Sequence, residues 1–414
     1  MRSGSNPGVW LVGAVLWIGG SCLAQELALR DQELGTRLEV GYAVRLIDMN
    51  ADQRLDIAIV DSKRFLWLEN PNWQEHVMFE DKAARNDNVC FAPHDIDGDG
   101  RIDFAVGRDW QPNNTESGGT IGWIRQPENP AATWTYHPIA DEPTTHRMQF
   151  VDLDTSGRPQ LVVSPLKGRQ TKGPDFDSAG VRQLAFTIPA APASESWPVT
   201  VLNDSLHVTH NFWPVQWDRD SPLEVLFVSF GGVHLLDHGK DGTWHATRIG
   251  AGDQESRPNR GASEIKTGVL GGGQRFIATI EPWHGDKVVV YREPRAQTAS
   301  DGLWTRHVLD AELKWGHAVS CADLDQDGRD ELVIGVRDDL DAQDPTKRRG
   351  LRIYGARDPD GGRWSRQIVD PGSVAIEDLA VGDLNGDQRL DIVAVGRQTH
   401  NVKIYWNETR RSAP

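Results

Sequence analysis

A nine-residue acidic frame recurs along this chain and limits what it can fold into. Asp95-Ile-Asp-Gly-Asp-Gly-Arg-Ile-Asp103 carries carboxylates at positions 1, 3, 5 and 9, with Gly98 and Gly100 letting the backbone curl. Hard oxygen donors converging on one point suit Ca²⁺. Position 12 lacks the Glu of a helical Ca²⁺ loop, and the flanking runs are short and β-like, so the frame reads as a turn between two strands. Three further copies run Asp48, Asn50, Asp52, Asp56; Asp323, Asp325, Asp327, Glu331; and Asp383, Asn385, Asp387, Asp391. Weaker copies begin at Asp152 and Gln216. First positions at 48, 95, 152, 216, 323 and 383 leave one double-length gap. Within it, Ile265 to Ile280 keeps the strand, glycine turn, strand shape without the acids. The unit count is seven.

A period of this length indicates a repeat architecture rather than two independent domains. Each unit reads as four strands; in the first these are Tyr42–Ile47, Leu55–Val60, Phe65–Leu68 and Glu75–Phe79. The seventh unit is expected to take its fourth strand from Gln25–Arg30, closing the ring and protecting strand edges. The expected fold is all-β, a seven-bladed β-propeller over residues 25–414, pinned by Ca²⁺ at its acidic turns. Residues 1–24 read as an export signal, with Arg2 ahead of an apolar run and small residues before Gln25. That run is too short to span a bilayer comfortably, so the expected location is periplasmic or secreted, without a membrane span. Cys90 and Cys321 fall in units two and six and are expected to stay unpaired. A net charge of −16 with no basic stripe argues against a nucleic-acid partner.

The acidic loops resemble the FG-GAP or VCBS propeller repeats, a likeness that speaks to fold and hardly to function. Alignment on the loops permits a sharper reading. The sixth residue before each loop lies near the start of the strand that lines the central channel, on the face opposite the acidic turns. That column holds Tyr42, Val89, His146, His210, His317 and Glu377, with Glu264 nearest in the fifth unit. Imidazoles with carboxylates suit Zn²⁺ or another divalent metal, and three protein ligands with an open position suit catalysis. The preferred ligands are His146 and His210, completed by Glu264 or His317, with Glu377 also in the column. Turns emerging on the same face add a cationic rim that includes Arg108, Lys167, Arg337 and Arg397, and Trp283 offers a sugar-stacking indole.

Ile280-Glu-Pro-Trp-His-Gly-Asp-Lys-Val-Val-Val-Tyr291, with Trp315-Gly-His-Ala318, resembles the propeller part of aldos-2-ulose dehydratase-like proteins. The resemblance implies a carbon–oxygen lyase that removes water from a keto-sugar such as 1,5-anhydrofructose. In that reading the metal polarises the ketone, His284 is the base, and Tyr42 or His317 is the acid. Two other readings compete. One is a polysaccharide lyase acting on uronic-acid glycans; the other is a non-catalytic, integrin-like propeller that binds carbohydrate or protein.

Overall fold

The computed structural model describes residues 26–218, 222–294, 302–337, 344 and 348–410. The expected export signal, with Cys22, lies outside the described residues, as do positions 219–221 of the fourth acidic loop. Among the described residues the strands form seven four-stranded antiparallel sheets, each one blade of a propeller. The first blade runs Gly41–Ile47, Asp56–Asp61, Arg64–Glu69 and Gln74–Glu80, within a residue or two of the sequence reading. Second strands are buried along almost their whole length, because each is covered by a blade on either side. They are correspondingly continuous apolar runs, such as Ile57-Ala-Ile-Val60.

In the seventh blade the strand Leu29–Glu33 pairs antiparallel with Val402–Asn407, in the register Leu29↔Asn407 to Glu33↔Lys403. The expected strand, Gln25–Arg30, was set about three residues too early. Leu27 is instead a buried anchor ahead of the strand, its amide donating to Gln367 Oε1 at 2.9 Å. Cys90 is buried, Cys321 half-buried, and both are free. No helix among the described residues is long and apolar enough to cross a membrane.

The acidic turns share one backbone. Positions four and six of the frame are left-handed in five blades, whether the residue is glycine or not: Ala51 and Gln53, Gly98 and Gly100, Thr155 and Gly157, Gln326 and Gly328, Gly386 and Gln388. Side-chain-bearing residues adopt this region at a cost, so the curl is imposed by the frame. The first Asp imposes it: Asp95 accepts the amides of Asp99 (3.0 Å) and Gly100 (2.9 Å), and Asp48 those of Asp52 (3.1 Å) and Gln53 (2.8 Å). The ninth carboxylate is a buried stitch. Asp103 accepts from the Ile96 and Gln126 amides, tying the loop to the end of the third strand.

Candidate functional site at the channel mouth

The strands that line the channel do not all begin alike. Those starting at Gly41, Thr145, Thr209, Gly316 and Ile376 each carry a β-bulge at their first turn. The residue left out of the ladder is Tyr42, His146, His210 (with Asn211), His317 and Glu377, respectively. An extra residue on one strand bends it locally and re-aims a side chain. All five side chains line one cavity of about 340 Å³ at the mouth. The second and fifth blades lack the bulge: Cys90–His94 and Glu264–Val269 pair regularly from their first residue. Accordingly Val89 and Glu264 do not line the mouth.

Glu264 therefore leaves the expected ligand set. Its side chain lines the channel beneath the mouth, with Asn211 Nδ2 donating to Oε2 at 2.5 Å. His210 Nδ1 lies 2.8 Å from Glu264 Oε1, but its N–H lines up with the Ser263 carbonyl at 3.0 Å. Glu264 Oε1 is thus left without a hydrogen-bond donor. The fifth blade fills its place at the mouth by another route. Trp283 and His284, on the turn after its second strand, reach across the opening. His284 sits in the left-handed region and stacks flat on Trp283, centroids 4.1 Å apart.

The result is a cluster that the alignment column only half contained. Ring nitrogens of His210, His284 and His317, from three blades, lie within 4.8 Å of one another. His210 Nε2 and His284 Nε2 are 2.7 Å apart. Backbone carbonyls fix two tautomers: His210 Nδ1–H faces Ser263 O, and His317 Nδ1–H faces Glu377 O at 2.5 Å. Each Nε2 is left as a bare lone pair turned toward the others, the arrangement in which an outer partner orients a metal-binding imidazole. Burial holds the His284 and His317 rings well below the ordinary value of 6.5, and also lowers His210 against the opposing pull of Glu264. Three neutral nitrogen donors fit a divalent first-row ion. His146, a preferred ligand from sequence, lies beside this set rather than in it. Its Nδ1–H faces His210 O at 3.0 Å, and its Nε2 accepts from Arg147 at 3.2 Å. The lone pair a metal needs is already engaged.

The rim sorts in the same way. Arg337 and Arg397 donate to Glu377, at 3.3 and 2.9 Å, so this column carboxylate is an ion-pair hub and not a ligand. The Arg397 guanidinium also lies 5.1 Å from the Tyr42 ring, and Tyr42 donates to Asp87 Oδ2 at 2.8 Å. Burial raises the Tyr42 hydroxyl far above its usual range, so it stays protonated. Lys167 Nζ donates to Pro112 O (2.7 Å) and Asn113 Oδ1 (2.8 Å), and burial lowers it to about 8. Arg108 does not belong here. It donates to Asp81 and packs between Phe79 and Tyr136, toward the outer strands. Phe176, from the long loop after the second strand of blade three, roofs the cavity with its ring 3.5 Å from Lys167 Nζ. Sequence reasoning missed Phe176, because long loops carry no register.

A family model for the β-propeller domain of aldos-2-ulose dehydratase matches residues 118–294, a span that contains His146, His210, Glu264, Trp283 and His284. The curated aldos-2-ulose dehydratase of Phanerodontia chrysosporium is 27% identical over 298 residues, covering 67% of this chain and 32% of that protein. The chain thus spans about a third of the length of that relative. Among solved structures, an ancestral GH74 enzyme aligns with TM-score 0.59 at 9% identity, over 92% of this chain and 49% of the other. The BBS1N propeller in complex with ARL6DN aligns with TM-score 0.55 at 13% identity, over 94% and 98%. These two likenesses are of fold alone. The sequence-level similarity is to the propeller domain of a sugar dehydratase.

Proposed function

We propose that the channel mouth is the active site of an exported lyase that eliminates water from a keto-sugar of the 1,5-anhydrofructose type. The observation that carries this reading is the meeting of three imidazoles from three blades in one cavity, two of them with tautomers fixed by backbone carbonyls. His210, His284 and His317 would hold a divalent ion, Zn²⁺ or another first-row metal. When bound, such an ion polarises a carbonyl and supports negative charge on its oxygen. The chain supplies the rest. Arg337 and Arg397, braced on Glu377, set positive charge where the carbanion charge develops. Lys167 is the base, its amine drawn by burial toward the range where it is partly neutral near pH 8. The three ring nitrogens face one another, so His284 is assigned as a ligand, in place of the base role its sequence position suggested. Tyr42, kept protonated, is the acid that assists the departing hydroxyl. Trp283 fixes the His284 ring, and Phe176 limits access of water.

The reading extends to the scaffold. The acidic turns are FG-GAP-like, with Ca²⁺ as a structural ion: donor oxygens of Asp95, Asp97 and Asp99 converge within 4.8 Å, as do those of Asp323, Asp325 and Glu331. An all-oxygen set of this kind fits a hard cation. The Leu29–Glu33 pairing is taken as the clasp that closes the ring. The test is to incubate purified protein with 1,5-anhydrofructose and follow the unsaturated product in the ultraviolet, alongside metal analysis. Turnover lost on chelation and restored by a divalent metal supports the reading. Calcium alone in the protein, with no turnover, would leave a binding propeller.

A further inference from the structure

Below the mouth, a second cavity of about 430 Å³ fills the channel. Its wall is set by the period of two along the inner strands. One position recurs in every blade: Arg45 opposite Ala58, Gln149 opposite Val162, Trp213 opposite Leu226, Lys266 opposite Ala278, and Ser320 opposite Val333. Ala92 and Ala380 complete the ring. It contains two cations, an amide, a hydroxyl and an indole, and no carboxylate. The next ring up, toward the mouth, holds Arg147, Asn211, Glu264 and Asp378. There each acid has at least one partner, though Glu264 Oε1 has no donor. Asp378 accepts from Arg45 at 3.2 Å and from the Val44 amide at 3.0 Å, and Glu264 accepts from Asn211.

Lys266 is the group left over. Among the described residues its ammonium has no hydrogen-bond or ion-pair partner, and rests 4.0 Å from the centroid of the Trp213 ring. Burial lowers it to about 8, with Arg45 adding to that effect and the acids above opposing it. An ammonium in such a wall is costly unless something negative meets it. Counting the cavity, Arg45, Arg147 and Lys266 bring three positive charges, and Glu264 and Asp378 two negative ones. One positive charge is unmatched.

We infer that the mid-channel cavity is a binding site for a small monoanionic carboxylate of sugar-acid size. Its carboxylate meets Lys266 and Arg45, and its hydroxyls meet Gln149 and Ser320. The single unmatched charge favours a monoanion over a phosphate dianion. Gln149 leaves its amide oxygen open, since only its Nε2 is used, on Phe212 O at 3.3 Å. The site is separate from the imidazole cluster and stands whether or not the mouth is catalytic.

Isothermal titration of the full-length protein tests this, with sodium gluconate, sodium glucuronate, inorganic phosphate and neutral glucose as probes. Gluconate or glucuronate is expected to bind at one site per chain with Kd below about 1 mM, and glucose and phosphate at least about tenfold more weakly. Lys266→Met should weaken the carboxylate by at least about tenfold, while His284→Ala leaves it unchanged. Ser320→Asp, which adds a carboxylate to the ring, should abolish binding and serves if Lys266→Met does not fold. No saturable binding of either sugar acid overturns the proposal. So does binding that survives Lys266→Met, or that is lost in His284→Ala, which would put the anion at the mouth.

Discussion

Removing calcium should destabilise this propeller much more at pH 8 than at pH 5, and the acidic turns indicate by how much. Asp103 is fully buried, and burial, with Asp97 and Asp99 adding to it, raises its carboxyl from 3.8 to about 7. Asp56 rises to about 6 and Glu331 to about 8 for the same first reason. A carboxyl raised in the fold binds its proton more tightly there than in the unfolded chain. The stability this contributes is complete below the unfolded value near 4, and is lost as pH climbs through the folded value. Each unit between the two is worth about 1.4 kcal/mol, so ionising Asp103 costs the ion-free fold on the order of 4 kcal/mol. A chain this long has an unfolding entropy near 0.8 kcal/mol/K, so each kcal/mol moves Tm by roughly 1 °C. One such loop is worth a few degrees and several loops on the order of 10 °C, an upper figure because their carboxylates interact. A bound cation removes the cost by replacing the proton. Thermal melts in EDTA and in millimolar Ca²⁺, at pH 5 and pH 8, should therefore diverge only at the higher pH. A Tm unmoved by EDTA at pH 8, or a calcium effect as large at pH 5, would refute the reasoning.

At the mouth, His210→Ala and His317→Ala should each lower the affinity for a transition metal, measured by titration of the chelated protein, by more than the roughly 10–100-fold typical of losing an outer partner. Glu264→His should not rescue His317→Ala, because that strand start has no bulge; recovered metal in the double variant would break the geometric argument. If Lys167 is the base, kcat/KM for the keto-sugar rises with pH through about 8, and Lys167→Met removes that limb. Tyr42→Phe should cost roughly 100-fold or more in kcat with metal content intact; a smaller loss removes Tyr42 as the acid.

The fold was legible because the acidic frame is local: nine residues fix a turn, and the turns fix the strands on either side. The column six residues upstream was legible for the same reason, and it located Tyr42, His146, His210, His317 and Glu377 in one cavity. What it could not show was which of these side chains keep a free lone pair. His146 spends its Nε2 on its chain neighbour Arg147, and Glu377 spends its oxygens on Arg337 and Arg397, which reach it from turns outside its own strand. The mistake at Glu264 was one of register: with no acidic frame to align the fifth unit, the residue chosen falls one place past the column, level with Arg147, Asn211 and Asp378. Arg108 went wrong because a turn residue was assigned to the mouth by its place in the chain, whereas Phe79 and Tyr136 draw its guanidinium outward.

One extra residue in five of seven inner strands therefore divides the channel into two chemistries. In the bulged blades the first inward side chain is lifted to the mouth, where imidazoles meet with neutral, carbonyl-fixed rings. The regular alternation below then sets a carboxylate level and, under it, a level of donors and cations. Arg147 sits at the boundary, donating to His146 above and standing 3.7 Å from Glu264 below. Its charge helps keep the mouth imidazoles neutral, since it is among the groups that depress His146, His284 and His317. Of the carboxylates in the ring below, Asp378 is held by Arg45 and the Val44 amide, while Glu264 backs the cluster with Oε1 2.8 Å from His210 Nδ1. A mouth of bare nitrogen donors above a cation-bearing ring follows from where the bulges fall, and from the two blades that have none.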